Sequence, residues 1–248
     1  MSHRMKAVVL AAGKGTRLHS EKSDLPKVMR RACGRPLLAY VLDGLSFIPA
    51  EDIILVVGYK KEAVQNYFPG YRCAVQEEQL GTGHAVMAAA KALDGFDGTV
   101  LVCYGDMPLL TAETYKALAD THVAQSNDCT ILSSESDKIL PFGRIIRDAA
   151  GNFREIVEDR DCTPAQKAIR ELNTGLYAFN AKRLLPALKK LQNNNAQGEY
   201  YLTDVPAILL SEGAKVGLCK LDLGSSIIGV NTPEELREVE DILRARSQ

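Results

Sequence analysis

The sequence has no excess of either charge: thirty Lys and Arg stand against thirty-one Asp and Glu, a net charge of -1. That balance removes a bulk electrostatic case for binding nucleic acid or an anionic membrane, and leaves only a local basic site open. No apolar run approaches the roughly 18 residues of a membrane-spanning helix, and no signal-peptide core opens the chain. Six cysteines, at 33, 73, 103, 129, 162 and 219, are scattered singly, without a C-x-x-C pair or a Cys/His cluster. Neither a zinc site nor a disulfide framework is indicated, and small core thiols in a reducing cytoplasm are the expectation. Internal repeats, low-complexity tracts and a clear linker are also missing; residues 193–198 (NNNAQG) are the most loop-like stretch. What remains is 248 residues, 46% hydrophobic and 25% charged, an ordinary globular profile with ample chain for a core. Residues 1–4 precede the first periodic element and read as a start-site or vector remnant.

Short apolar runs alternate with helical spacing. KAVVLA at 6–11 is too short for a helix and runs into glycines, so it predicts a buried strand. Leu37, Leu38, Val41, Leu42 and Leu45 then recur at helical spacing, and IILVV at 53–57 predicts the next strand. A helix over about 62–68, a strand near 73–76, a helix over about 84–93 and a strand at 99–103 follow. The rhythm predicts a parallel sheet covered on both faces. It then changes: 130–133, 143–147 and 153–157 are short, polar-interrupted runs, and DAAGN at 148–152 predicts a hairpin turn, with Gly151 and Asn152 able to take positive φ. A central strand at 175–179, helices near 182–191 and 202–212, a strand at 216–221 and an amphipathic helix at 233–245 complete the chain. Thr232 caps the last helix, Pro233 takes its first position, and Glu234 and Glu235 suit its positive end. The expected fold class is α/β: a Rossmann-like, mostly parallel sheet with helices on both faces and a small antiparallel β insertion. Ligands of such sheets collect at the carboxyl ends of the parallel strands.

L-A-A-G-K-G-T-R at 10–17 follows the first strand directly. Ala11, Ala12, Gly13 and Gly15 remove bulk so that backbone N–H groups can approach phosphate oxygens, while Lys14 and Arg17 add positive charge. The P-loop spacing is missing, and Leu18 stands where a dinucleotide fingerprint needs its third glycine. A plain strand-to-helix turn also needs small residues, so G-x-G alone divides evenly between the two. L-P-K at 25–27 adds Lys27 after a proline-stiffened segment. A lone lysine is usually solvated; beside an anion-shaped loop it can bridge phosphates as a mobile point charge.

The opening L-A-A-G-x-G-T-R with L-P-K resembles the sugar-nucleotide pyrophosphorylases, which join a nucleoside triphosphate to a sugar 1-phosphate. Q-E-E-Q-L-G-T-G-H-A at 76–85, Y-G-D-M-P-L at 104–109, F-G-R-I at 142–145 and I-V-E at 156–158 extend the likeness. E-L-N-T-G at 171–175, N-N-N-A-Q-G-E-Y-Y-L-T-D at 193–204 and G-V-N at 229–231 carry it to the far end of the chain. In that order they resemble the uridylyltransferase domain of bacterial N-acetylglucosamine-1-phosphate uridylyltransferases.

The resemblance implies a nucleotide-diphospho-sugar transferase fold over 5–232. A nucleotide-binding part would span about 5–125, a sugar-binding part about 126–232, and a C-terminal helix 233–248. It implies transfer of UMP from UTP to N-acetylglucosamine 1-phosphate, giving the cell-wall precursor UDP-N-acetylglucosamine and pyrophosphate. Arg17 and Lys27 would be catalytic, offsetting negative charge between the reactants. Leu10, Ala11, Ala12, Gly13, Gln76, Gly81 and Thr82 would hold the nucleotide. Gln76 would read the uracil edge with its amide, and Gly81 would let the backbone approach the ring. Tyr104, Gly105, Asp106, Gly143, Glu158, Asn173 and Asn231 would line the substrate, with Glu158 accepting from sugar hydroxyls and Asn173 bonding the hexosamine. Asp106 and Asn231 would hold Mg²⁺, a hard cation that takes one or two protein oxygens with phosphates and water. Taken alone, Asp106 is also a plausible turn former beside Gly105 and Pro108, Asn231 a pre-helix loop residue, Glu158 a solvated charge and His84 a structural residue. No nucleic acid or membrane partner is expected.

Two features depart from the family pattern. Residues 19–23 (HSEKS) make the loop before Lys27 longer than the family leads one to expect, and no hexapeptide period follows the last helix. Without the left-handed β-helix that such repeats build, the chain is expected not to acetylate and to be a monomer or weak homodimer, whether it stands alone or is cut from a longer protein. A relative using glucose 1-phosphate or CTP, and a non-catalytic nucleotide-sugar sensor, are the alternatives. Asp106, Asn231, Lys27 and Arg17 together count against the sensor, which has no need of them.

Overall fold

In the computed structural model, which describes residues 4–18, 25–138 and 140–246, strands and helices alternate along most of the chain. β1 (Met5–Ala11) is followed by a two-residue ladder of β2 (Arg31–Ala32) and β3 (Arg35–Pro36), then α1 (Leu37–Gly44), β4 (Ile53–Val57), α2 (Lys61–Tyr67) and β5 (Arg72–Val75). Next come α3 (Thr82–Ala88), α4 (Ala90–Leu93), β6 (Thr99–Tyr104), α5 (Ala112–Ala124), β7 (Cys129–Glu135) and the hairpin of β8 (Arg144–Arg147) and β9 (Phe153–Val157). The rest is α6 (Pro164–Lys167), β10 (Glu171–Asn180), α7 (Ala181–Leu188), α8 (Val205–Ser211), β11 (Val216–Lys220) and α9 (Pro233–Arg246).

The main sheet runs β11-β7-β10-β6-β1-β4-β5. β5, β4, β1 and β6 are parallel, as the βα rhythm predicts. β10 enters antiparallel between β6 and β7, β11 is parallel to β7, and the β8–β9 hairpin leaves the sheet from the start of β10. β1 and β4 read as unbroken apolar runs because both their faces are covered. Val8, Ile54 and Val100 pack under α3, α7 and α8, while Ala7, Val9, Ile53 and Leu55 pack under α1 and α5. A smaller cluster of Leu18, Leu37, Leu109, Val230 and Val239 seats α9 against the end of the sheet. Its cap is reciprocal: Glu235 N donates to Thr232 Oγ1, and Thr232 N donates to Glu235 Oε2. No helix of the described residues is long and apolar enough to cross a membrane.

Several boundaries differ from the sequence expectation for identifiable reasons. The central strand begins at Glu171, not at 175, because Gly175 (φ 79°) is a bulge inside it, where the pairing with β7 slips between Asn173 and Tyr177. A Cβ at 175 would stand 2.1 Å from the Tyr104 ring, so that bulge must be glycine. In the hairpin turn Gly151 has φ 85°, but Asn152 is not at positive φ. Asp148 makes the turn instead, its Oδ1 accepting from the backbone N–H groups of Ala150 and Asn152. The predicted helix at 84–93 starts at Thr82 and breaks at Ala89, and that at 202–212 opens with a 3-10 turn. Arg4, just before β1, is already tied to the sheet, since its carbonyl accepts from Thr99 N at 3.0 Å. Helix α5 escapes a periodicity argument because its inward face includes Thr114 and His122 beside Tyr115, Leu118 and Ala119.

Candidate active site

A cleft of about 900 Å³ opens where β1, β5 and β6 end, facing the β8–β9 hairpin and the start of β10. Every site residue expected from the sequence lines it except Ala11 and Gly105. Ala11 is the buried end of β1, and Gly105 packs against Val28, Leu38 and the Leu10 carbonyl, where a Cβ would sit 3.1–3.3 Å from its neighbours. Both are scaffold by position. Lys14 is exposed and outside the cleft lining. The longer loop at 19–23 lies outside the described residues. Among the cysteines, Cys103, Cys129 and Cys219 are core residues as expected, with burial pushing the Cys103 thiol up to about 12; Cys33 is exposed.

At one end of the cleft, segments far apart in sequence bring a carboxylate and an amide oxygen onto one ammonium. Lys27 Nζ bonds Asp106 Oδ2 and also donates to Asn231 Oδ1 at 2.7 Å. Arg17 Nη2 reaches the same Asn231 oxygen at 3.3 Å. The two loops are tied by Val230 N donating to the Asp106 carbonyl at 2.9 Å. Asn231 Nδ2 donates to the Gly229 carbonyl, which turns Oδ1 toward the cations. The Lys27 and Asp106 side chains are only 14% and 17% exposed, so this charge is weakly screened. One carboxylate and one amide oxygen converging on a cation suit Mg²⁺, with substrate phosphates and water completing the shell. Among the described residues, no group of three or more His, Cys, Asp or Glu could hold a metal by itself.

Along the cleft, Gln76 is 4% exposed, and its Nε2 donates to the Gly81 carbonyl at 3.1 Å and meets His84 Nδ1 at 3.1 Å. Both amide protons are thus committed, and Gln76 offers the cleft an acceptor rather than the donor–acceptor pair the sequence suggested. Glycine at 81 is demanded by the protein itself: φ is 111°, and a Cβ would stand 2.6 Å from the Tyr200 carbonyl. Gly13 differs, since a Cβ there would meet nothing within 4 Å; the room beside it belongs to the cleft.

At the far end Glu158 is half-buried rather than solvated, and its Oε1 accepts from the Thr203 hydroxyl at 2.9 Å. Burial pushes this carboxyl up; the Thr203 bond opposes that, and the charges of Asp204, Asp161 and Asp159 add to it. Asn173 is largely committed internally: Nδ2 donates to Tyr177 Oη at 2.7 Å, and Oδ1 accepts from Gly175 N at 3.1 Å. One amide proton and one lone pair remain. Its backbone N donates to the Gly143 carbonyl at 2.8 Å, and glycine at 143 makes room for the Ile156 side chain.

Two supports were not visible in the sequence. The 193–204 string runs along the cleft, which Gln197 and Glu199 line, and ties into its walls: Tyr200 N donates to the Leu80 carbonyl, Leu202 N to Thr82 Oγ1, and Thr203 to Glu158. It therefore braces both the Gly81–Thr82 turn and the Glu158 wall. Arg144 is wholly buried, its Nη1 donating to the Phe142 carbonyl and its Nη2 lying 3.3 Å from Asp159 Oδ1. The length and specificity of the string were the available signal for the first. Nothing in the local sequence marks Arg144 as buried.

A family model for the MobA-like NTP transferase domain matches residues 7–204, which include most of the residues that line the cleft. The chain belongs to the MobA-like NTP transferase domain family. The bifunctional protein GlmU of Alkaliphilus metalliredigens (strain QYMF) is 45% identical over 244 residues, 98% of this chain and 53% of that protein. The bifunctional protein GlmU of Clostridium novyi (strain NT) is 46% identical over 242 residues, 97% of this chain and 52% of that protein. The chain thus spans about half the length of the curated relatives it matches. A solved structure from Bacillus anthracis, described as a candidate glucose-1-phosphate thymidylyltransferase in complex with a sucrose, superposes with a TM-score of 0.72. That match covers 97% of this chain and 96% of that one at 20% identity, and it establishes the fold of this NTP transferase domain.

Proposed function

We propose that this domain transfers UMP from UTP to N-acetylglucosamine 1-phosphate, releasing pyrophosphate. The observation that carries the reading is the joint placement in one cleft of the Gln76 acceptor, the Lys27–Asp106–Asn231 cluster and the Glu158 carboxylate. A base reader, a phosphate and metal site and a hydroxyl acceptor are the parts that joining a pyrimidine triphosphate to a sugar phosphate requires. The strong identity to the bifunctional GlmU proteins supports the same choice.

A free Gln76 Oε1 suits the N3–H of uracil, whereas the N3 of cytosine would set acceptor against acceptor. Ala12 and Gly13 leave room for the triphosphate beside β1. Arg17 and Lys27 offset the repulsion between two polyanions, so that the sugar phosphate oxygen reaches the α-phosphorus in line. The new P–O bond forms as the bond to the β-phosphate oxygen breaks, and both electrons of that bond leave with pyrophosphate. Asp106 and Asn231 would hold Mg²⁺, which supplies neutralisation of phosphate charge when bound. Glu158, kept in place by Thr203, accepts from sugar hydroxyls, and Asn173 offers the hexosamine its remaining proton and lone pair. On this reading residues of about 5–125 handle the nucleotide and those of about 126–232 the sugar, on one continuous sheet.

The test is pyrophosphate release from a panel of UTP, CTP, dTTP and ATP against N-acetylglucosamine 1-phosphate, glucose 1-phosphate and no sugar, with and without Mg²⁺. UTP with N-acetylglucosamine 1-phosphate and Mg²⁺ should dominate. Another pair dominating would rename the substrates, and binding of a UDP-sugar without turnover would make the domain a sensor.

A further inference from the structure

His84 lies in the first turn of α3, one side-chain layer behind the cleft, and is itself outside the cleft lining. Its Nδ1 stands 3.1 Å from Gln76 Nε2, and the same Nε2 lies 3.1 Å from the Gly81 carbonyl. A carbonyl can only accept, so the Gln76 amide nitrogen must face it, and the nitrogen then has to donate to Nδ1 as well. That requires the His84 tautomer protonated on Nε2. Two acceptors therefore hold an amide that could otherwise rotate by half a turn. Rotated, Gln76 would present two N–H donors to the cleft and set its oxygen against the Gly81 carbonyl. The orientation seen leaves Oε1, in a residue only 4% exposed, without a donor among the described residues. Gln76 lines the cleft, so a ligand there can supply an N–H to that oxygen.

We propose that His84 is a positioning residue for base choice: together with the Gly81 carbonyl it accepts from Gln76, fixes the amide as an acceptor, and so selects a pyrimidine carrying N3–H over one carrying a bare N3. The inference rests on the nucleotide reading given above. His84 acts on specificity through Gln76 and touches neither phosphate nor sugar. Its ring also lies 6.4 Å, centroid to centroid, from that of Tyr200, so a replacement should keep an aromatic body. Phenylalanine keeps the body and removes the acceptor. Asparagine loses the body but keeps an oxygen able to accept.

The experiment compares wild type, His84→Phe and His84→Asn for kcat and KM with UTP and with CTP at saturating sugar phosphate and Mg²⁺. Circular dichroism and thermal unfolding establish that each variant folds. In His84→Phe the UTP-to-CTP ratio of kcat/KM should fall by about five- to tenfold, the scale of one lost hydrogen bond. The change should lie in KM for UTP, with KM for the sugar phosphate unmoved. His84→Asn should recover part of the ratio. A folded His84→Phe that keeps the wild-type ratio, or that loses UTP and CTP use equally, would overturn the proposal. If His84→Phe does not fold, the decision passes to His84→Leu, which also removes the acceptor and should lower the ratio by the same five- to tenfold; a folded His84→Leu that keeps the wild-type ratio would overturn the proposal. A wild-type enzyme with no preference for UTP over CTP would instead remove the base assignment itself, a failure distinct from that of His84.

Discussion

Asp204 follows the hydroxyl that holds Glu158 and stands at the start of α8. Burial, and then the nearby Asp161 charge, push its carboxyl from 3.8 up to about 6. Because the folded value lies above the unfolded one, the folded protein holds this proton more tightly. The group's contribution to stability is therefore intact below about pH 4 and is lost as pH rises toward 6 and beyond. The gap from 3.8 to about 6 is worth at most about 3 kcal/mol, at about 1.4 kcal/mol per pH unit. Asp204 is only partly buried, and solvent screening brings the net penalty to about 1 kcal/mol. Asp204→Asn keeps the shape and removes the charge. Urea unfolding should show the variant more stable by about 1 kcal/mol at pH 8, with the gain shrinking toward zero as pH falls to 4. The Asp204 charge also pushes Glu158 up, so the variant should keep sugar phosphate affinity to lower pH than wild type. A gain that does not vary with pH, or a loss at pH 8, would refute the reasoning.

Thr203→Val removes the hydroxyl that opposes the upward push on Glu158, so that carboxyl moves up further and loses its anchor. KM for the sugar phosphate should rise by about tenfold with KM for UTP unchanged, the scale of a hydrogen bond to a charged group; an equal rise in both would point to general loosening. Lys27→Ala should lower kcat by about 10²-fold or more, the cost of one preorganised contact to developing charge. A change confined to thermal stability would reduce Lys27 to a partner of Asp106. Asp106→Ala should abolish most turnover while leaving the circular dichroism spectrum intact, and near-full Mg²⁺-dependent activity would contradict its place at the metal.

The parallel half of the sheet was legible because residues 6–11 and 53–57 are covered on both faces and so read as unbroken apolar runs bounded by glycine. The start of β10 was not, since Gly175 marks a bulge within the strand and glycine looks the same at a bulge and at an end. Helix α5 carries Thr114 and His122 on its buried face, which blurs the period on which such a reading depends. At the site, most residues that the motifs single out line the cleft, but their hydrogen-bonding capacity is not what the sequence suggests. Gln76 looks bifunctional in sequence and becomes an acceptor only once Gly81 and His84 are in place. Asn173 looks like a ligand-binding amide and spends most of its capacity on Tyr177 and Gly175. Thr203 sits 45 residues from the Glu158 it holds, a pairing that only the folded chain reveals.

If this cleft joins the UMP of UTP to N-acetylglucosamine 1-phosphate, a competition in one tube reveals it. UTP, Mg²⁺ and equal concentrations of N-acetylglucosamine 1-phosphate and glucose 1-phosphate are incubated with the protein, and the two diphosphate products are resolved by phosphorus NMR. The ratio of their initial rates equals the ratio of kcat/KM. It should favour UDP-N-acetylglucosamine by at least about tenfold, the discrimination that one lost contact to the N-acetyl group supplies. Equal amounts of the two products would contradict the named sugar, and the absence of both diphosphate products would contradict the transfer itself.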